Sequence, residues 1–271
     1  MAEFFTRRAD GEQGLALFLN AGDPPLDILA DLVRMLDECG VDCLELAVPF
    51  PGSVTDGPVI QRSAHRALAH GVELDDVLAF IAAVRPQLTR LRIALLADWS
   101  HTVKHHPLPS IMGDIAASGA DGLLVHALPP RVRASYYQAT QDAGLPIVTT
   151  CYHNGSPPQV MAEAAAHASA YLYLVAHYGR SGSTPAAGYA ELAGTVAMLR
   201  AGTTAPIAIG FGVRTQADVA AVHTCGADAV IVGSAGVARI ENALAHGHDV
   251  IADFGDFVQS LHHFQPVEAR S

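Results

Sequence analysis

The chain has little positive charge. Its 271 residues contain 16 lysines and arginines against 27 aspartates and glutamates, which gives a formal net charge of −11. A nucleic-acid partner needs a basic surface that neutralises phosphates, so we expect no nucleic-acid binding. Half of the residues are hydrophobic, enough for one large core, and the length is typical of one barrel domain covering residues 1–271.

The chain also lacks a cysteine framework, a membrane-spanning run and an apolar leader. Its four cysteines form no CxxC pair and show no zinc-like spacing, so we interpret them as buried free thiols in a reducing compartment. No hydrophobic run reaches transmembrane length, and the first eight residues contain no apolar core of a signal peptide. We therefore predict a soluble, cytoplasmic protein without a membrane partner.

Short, continuous apolar runs recur about every thirty residues, and a helical pattern follows each of them. Continuous rather than alternating hydrophobicity indicates strands that are buried on both faces, as in a parallel sheet covered by helices. The predicted strands are residues 15–21, 43–49, 92–98, 122–128, 146–152, 171–177, 206–212 and 229–235.

Eight similar strand–helix units favour one closed (β/α)8 TIM barrel of the α/β class. No GxGxxG follows the first strand and no linker divides the chain, so a doubly wound open sheet is the weaker alternative. In a barrel, the active site lies at the carboxyl ends of the strands. A glycine typical of a left-handed helix end precedes four of the strands: Gly40, Gly119, Gly144 and Gly226.

Two acidic residues frame the loop after the second predicted strand. Glu45 lies inside an apolar strand, and Asp56 precedes a helix start at Pro58. A carboxylate in an apolar strand is costly unless it is paired, solvated in a cavity or used in catalysis. Two such carboxylates can divide acid and base roles between them. A structural ion pair is the alternative for Glu45, and a turn or helix-cap role is the alternative for Asp56.

The seventh and eighth predicted strands end in glycine-rich turns. Gly212 lies in the first turn, and Gly233 and Ser234 lie in the second, which opens directly into a helix. Free N–H groups at a helix start bind anions, and barrels often bind phosphate after these two strands. The turns therefore predict a phosphorylated substrate. A glycine-rich loop over residues 178–188 suits a lid, and Gly182 there can add a donor.

Other polar residues receive simpler interpretations. Asp23 precedes Pro24 and is predicted to cap the first helix. The 14 histidines match no strong metal template, so we predict no metal site. His126 and His177 alternate with apolar residues on their strands, so one or both can face the barrel mouth.

From about residue 15 to 264 the pattern resembles the α subunit of tryptophan synthase. The resemblance is carried by Phe18 with Gly22-Asp23-Pro24, by Leu44-Glu45-Leu46 with Val48-Pro49-Phe50, by Asp56-Gly57-Pro58-Val59-Ile60-Gln61, by Tyr171-Leu172-Tyr173-Leu174, by Gly210-Phe211-Gly212 and by Gly233-Ser234-Ala235. It implies a (β/α)8-barrel lyase of tryptophan biosynthesis that cleaves indole-3-glycerol phosphate to indole and glyceraldehyde 3-phosphate.

The resemblance also implies a role for each site residue. Glu45 matches the family's catalytic glutamate, Asp56 the aspartate that holds the indole N–H, and Tyr173 a tyrosine beside them. It implies no cofactor for this chain, and a PLP-dependent tryptophan synthase β subunit as a partner. The phosphate-binding positions are Gly182, Gly212, Gly233 and Ser234, and the apolar slot for the indole ring is Phe18, Ile60, Leu96 and Phe211.

Several positions depart from the family pattern. The partner-facing Ser-Asp-Pro is Pro51-Gly52-Ser53, the third-strand Tyr-x-Asn is Asp98-Trp99-Ser100, and the fourth-strand Asp-Val-Pro is Ala127-Leu128-Pro129. Three functions therefore stay open: the indole-forming lyase, alone or with a partner; an aldolase-type barrel for another phosphorylated substrate; and a non-catalytic regulatory subunit. The retained Glu45 and Asp56 argue against the last of these.

Overall fold

The computed structural model describes residues 4–5, 14–176, 191–210 and 212–262. Within them, eight strands and ten α-helices alternate along most of the chain. The strands are β1 (Gly14–Asn20), β2 (Cys43–Ala47), β3 (Arg92–Asp98), β4 (Gly122–His126), β5 (Val148–Tyr152), β6 (Tyr171–Val175), β7 (Ile207–Gly210) and β8 (Ala229–Val232).

The helices follow the strands and cover their outer faces. They are α1 (Leu26–Glu38), α2 (Pro58–Ala69), α3 (Leu74–Val84), α4 (Leu108–Ala117), α5 (Arg133–Asp142), α6 (Pro158–His167), α7 (Leu192–Arg200), α8 (Gln216–His223), α9 (Ser234–His246) and α10 (Val250–His262). Proline in the first turn, where no backbone N–H is needed, starts α2 at Pro58 as the sequence predicts. No helix in the described part of the chain is long and apolar enough to cross a membrane.

The sheet closes on itself. All ladders are parallel in the order β4-β3-β2-β1-β8-β7-β6-β5, so the first and last strands are hydrogen-bonded neighbours. A single bridge between Leu123 and Ile147 joins the remaining pair, β4 and β5. This topology confirms the predicted (β/α)8 barrel and rules out the doubly wound sheet.

Each strand is buried on both faces, which explains the continuous apolar runs. One set of side chains packs against the helices, and the alternate set fills the barrel. Inside the barrel, alanines on neighbouring strands leave room for the buried Tyr171 ring. Phe4 and Phe5 contact that ring, with centroids 5.4 and 5.2 Å away. They lie at the amino ends of the strands, opposite the predicted site, since they pack on the first residues of β4 and β1.

The sequence predicts the carboxyl ends of the helices correctly but misassigns the cap at the amino end of α1. The four predicted glycines after helices have φ between 65° and 87°, a region that disfavours other residues. The predicted cap at Asp23 is wrong: Pro25 occupies the cap position of α1 without a side-chain hydrogen bond. Asp23 instead binds the Arg66 guanidinium through two contacts of 2.8 and 2.7 Å.

Candidate active site

One cavity at the carboxyl ends of the strands collects the predicted site residues. Two predicted members, Gly182 and Phe211, lie outside the described residues. All nine others line this cavity: Phe18, Glu45, Asp56, Ile60, Leu96, Tyr173, Gly212, Gly233 and Ser234.

Glu45 is buried inside the barrel. The register of β2 places it beside Phe18 on β1 and Ala94 on β3, and its side chain is 2% exposed. It has no cationic partner among the described residues, so the structural ion pair is not found there. The Tyr171 hydroxyl donates to its Oε1 over 2.6 Å. Burial raises the pKa of Glu45 to about 7, and the Tyr171 hydrogen bond opposes that rise. Such a carboxyl can accept and donate a proton near neutral pH.

Tyr173 follows Tyr171 by two positions on β6 and therefore also points into the barrel. Burial and the nearby Glu45 charge raise its pKa well above the ordinary value, so its hydroxyl stays protonated and can donate. A side chain at the neighbouring Gly210 would displace the Tyr173 ring, because an ideal Cβ there would lie 2.5 Å from the Tyr173 oxygen. Glycine on β7 thus makes space for this tyrosine.

Asp56 lies in the loop between β2 and α2. The helix cap is Gly57, and no side chain caps α2, so the Asp56 carboxylate is not used as a cap. The Gln61 side chain holds the loop by donating to the carbonyls of Ser53 and Asp56, at 2.7 and 3.0 Å. Burial raises the pKa of Asp56, while a Ser53 hydrogen bond and the His126 charge act in the opposite direction.

The start of helix α9 in the same cavity is suited to an anion. Helix α9 starts at Ser234 with Gly233 as its cap, and no side-chain hydrogen bond occupies that cap. The first N–H groups of such a helix point outward with the positive end of its dipole. Gly212, with φ of +83°, and Arg214 line the same cavity. One cavity therefore contains two carboxyl groups, apolar side chains and a helix start without a side-chain cap.

The sequence does not single out Asp98 and His126 as a pair. They end β3 and β4 at paired register positions, and the His126 ring nitrogen Nδ1 lies 3.1 Å from Asp98 Oδ2. The sequence predicts that His126, His177 or both face the barrel mouth, and His126 does line the cavity. The other, His177, lies outside the described residues. Polar residues at equivalent ends of adjacent strands are the signal that reveals the pair in the sequence.

The described residues contain neither a cluster of metal-binding side chains nor a disulfide. No group of three or more histidine, cysteine, aspartate or glutamate side chains is arranged there to hold a metal ion. All four cysteines are free, and three are buried.

The fold and the site together define a (β/α)8-barrel enzyme whose cavity holds the buried Glu45, the partly buried Asp56 and the start of helix α9. A model of the family "Tryptophan synthase alpha chain" matches residues 4–265. The chain belongs to this family, which confirms the predicted family and class of enzyme, a lyase of tryptophan biosynthesis.

Individual relatives agree with this assignment over most of their length. The tryptophan synthase alpha chain of Synechocystis sp. is 36% identical over 237 residues, covering 88% of both chains. That of Gloeobacter violaceus is 34% identical over 258 residues, covering 95% of this chain and 91% of the relative. The solved alpha subunit from Legionella pneumophila str. Paris superposes with a TM-score of 0.81 at 29% identity, covering 94% of this chain and 93% of that one.

Proposed function

We propose that this chain cleaves indole-3-glycerol phosphate to indole and glyceraldehyde 3-phosphate. The observation that carries the proposal is the buried Glu45, whose pKa of about 7 suits proton transfer, in one cavity with Asp56 and the start of α9. A retro-aldol cleavage of this substrate needs an acid and base at one end and an anion site at the other. The apolar slot formed by Phe18, Ile60 and Leu96 lies in the same cavity and fits an indole ring.

Glu45 carries the proton transfers in this proposal. A proton must reach indole C3, which makes the ring a leaving group, and a base must take the proton of the C3′ hydroxyl as the carbon–carbon bond breaks. A carboxyl with a pKa near 7 is populated in both forms at neutral pH, so one group can serve both steps. Tyr171 fixes one of its oxygens, and the protonated Tyr173 lies beside it.

Asp56 and the anion end hold the substrate at its two extremes. The Asp56 carboxylate accepts the ring N–H and stabilises the positive charge that develops on the ring after C3 is protonated. Gly212, Gly233 and Ser234 present backbone and hydroxyl donors to the phosphate. The proposal assigns Gly182 and Phe211 to the phosphate end and the ring slot by the family resemblance alone, since both lie outside the described residues.

We propose two features of the setting. The enzyme partners with a PLP-dependent tryptophan synthase β subunit, which consumes indole, and it works in the cytoplasm. The family of the chain supports the partner. The four free cysteines, of which three are buried, are typical of a reducing compartment.

Turnover tests the proposal. The purified chain is mixed with indole-3-glycerol phosphate, and released indole is measured with and without a β subunit. We expect indole in both mixtures and none from Glu45→Gln, which still binds the substrate in calorimetry. The matched control is Asp114→Asn, an exposed carboxylate on α4 outside the cavity. No indole in either mixture, with phosphorylated ligands still bound, would instead favour the aldolase for another substrate or the regulatory subunit.

A further inference from the structure

Two histidines converge on one buried carboxylate at the barrel mouth. Asp98 is 4% exposed and lies 3.1 Å from the Nδ1 of His126 and 2.7 Å from the Nδ1 of His101. The backbone N–H of His101 also donates to it over 2.9 Å. Burial alone would raise the pKa of Asp98, but these hydrogen bonds outweigh it and lower the pKa. Asp98 is therefore an ionised acceptor at neutral pH.

The Asp98 carboxylate determines which nitrogen of the His126 ring carries the hydrogen. An ionised carboxylate only accepts, so the His126 Nδ1 carries the hydrogen and donates it. In the neutral ring, Nε2 is then an acceptor, and it lies 3.3 Å from the hydroxyl of Thr55. The Thr55 hydroxyl is also 3.4 Å from that of Ser53. A chain of polar contacts thus runs from β3 through β4 into the loop that carries Asp56.

The same histidines also hold the start of that loop. The Phe50 ring stacks on the rings of His101 and His126, with centroids 5.2 and 6.2 Å away. Beyond Phe50 the loop has little apolar packing of its own, because Pro51 and Gly52 are exposed and Val54 is 81% exposed. The histidine cluster, the Gln61 side chain and a Ser53 hydrogen bond to Asp56 hold the loop.

We propose that His126, oriented by Asp98, is a positioning residue that holds Thr55 and thereby places the neighbouring Asp56 carboxylate in the cavity. The inference rests on the proposed function, because it is there that Asp56 receives the substrate ring. It assigns a role to Asp98, which stands at the end of the third strand where the family pattern has a tyrosine. A carboxylate that already lies in its binding position loses less conformational freedom when the substrate binds, which lowers the activation barrier of the reaction.

The first test removes the Thr55 hydroxyl, with its contacts to His126 and Ser53, at nearly constant side-chain shape. Thr55→Val deletes the hydroxyl that meets His126, and Thr55→Ser restores it. We expect Thr55→Val to lower kcat about tenfold with a smaller change in KM, because misplacing a charge-stabilising group chiefly costs transition-state stabilisation. Thr55→Ser recovers most of the loss. His126→Leu behaves like Thr55→Val, whereas His106→Leu, at an exposed histidine in the loop between β3 and α4, matches the wild type.

A double-mutant cycle with Asp56→Asn separates positioning from general damage. If Thr55 acts through Asp56, then Thr55→Val causes no further loss once the carboxylate is gone. An equal fold-loss in both backgrounds would overturn the inference, and so would wild-type kcat in Thr55→Val.

A measurement without turnover keeps the inference independent of the proposed function. Hydrogen exchange of the peptide covering residues 50–57 reports how firmly the loop is held. We expect exchange about fivefold faster in Thr55→Val and His126→Leu than in the wild type or Thr55→Ser. An inactive wild type with this exchange pattern would refute the indole lyase function but support the role of His126 and Thr55 in holding the loop. Unchanged exchange in both variants would refute the positioning role even in an active enzyme.

Discussion

Glu45→Gln should change how the stability of the protein depends on pH while it removes the activity. In the folded chain the pKa of Glu45 is about 7, raised from 4.5 by burial. Between these two pH values the folded state holds a proton that the unfolded state has released. The free energy of unfolding of the wild type therefore decreases as the pH rises through this window, and the loss is complete above about pH 7. Glutamine does not titrate, so the variant lacks this loss.

The size of the effect follows from the same shift. At about 1.4 kcal/mol for each pH unit, the rise from 4.5 to about 7 corresponds to about 3 kcal/mol. The glutamine also brings an N–H2 group that the site does not pair, which costs about 1 to 3 kcal/mol at every pH. The absolute stability of the variant is therefore a less sharp test than its change with pH. Relative to the wild type, the variant should gain about 3 kcal/mol between pH 4.5 and 7.

Urea denaturation of both proteins, followed by far-UV circular dichroism at several pH values, measures this difference. Asp114→Asn is the control for a carboxylate outside the barrel, and its difference from the wild type should change little over the same range. Parallel stability curves for Glu45→Gln and the wild type would show that burial does not raise the pKa of Glu45. The acid–base role proposed for this residue would then lose its physical basis.

Three further variants test other parts of the site. Tyr171→Phe removes the hydrogen bond that favours ionised Glu45 but keeps the aromatic ring against Phe4 and Phe5. The acidic limb of the pH profile of kcat/KM should therefore move up by about one pH unit. A limb that does not move would contradict the assignment of that limb to Glu45. Arg214→Gln should raise KM about fivefold with little change in kcat, and the effect should shrink at high salt; a KM that does not respond would show that Arg214 is remote from the phosphate. Glu241→Gln should lower the free energy of unfolding by about 1 kcal/mol at neutral pH. Its pKa is lowered to about 2 by Arg62 and Arg66, so this deficit should be present above pH 4.5 and should disappear as the pH falls toward 2 in acid titrations of both proteins.

The strand pattern was predictable because burial on both faces leaves a local record. Every predicted strand begins within two residues of the observed one, and β3 matches at both ends. The common error is at the carboxyl end: the run through residue 49 was predicted as strand, whereas β2 ends at Ala47. The residues just after the strands stay apolar because they are still buried around the cavity, as Val48 is after β2. The apolar run in the sequence therefore continues beyond the last hydrogen bond of the strand.

The contacts that shape the site were less visible, since they join residues far apart in the chain. Asp23 looks like a helix cap beside Pro24, yet its partner is Arg66 on α2, 43 residues away. Asp98 and His126 lie 28 residues apart and meet only because β3 and β4 pair in one particular register. Tyr171 reaches Glu45 across 126 residues of sequence. Local patterns specify the barrel, and closing the barrel determines these partners.

The two acids of the site are held in opposite ways, and the difference matches the work proposed for each. Glu45 is fixed by the strand register and by Tyr171 inside a closed barrel, where burial raises its pKa to about 7 although the Tyr171 hydrogen bond opposes the rise. Asp56 lies on a loop with an exposed tip, held by Gln61 and by the cluster around Asp98. A proton carrier needs a constant environment, whereas a group that grips the substrate ring must let it enter and leave. In the proposed mechanism, the rigid Glu45 carries the proton transfers, and Asp56 on its loop controls how often the substrate is aligned for them.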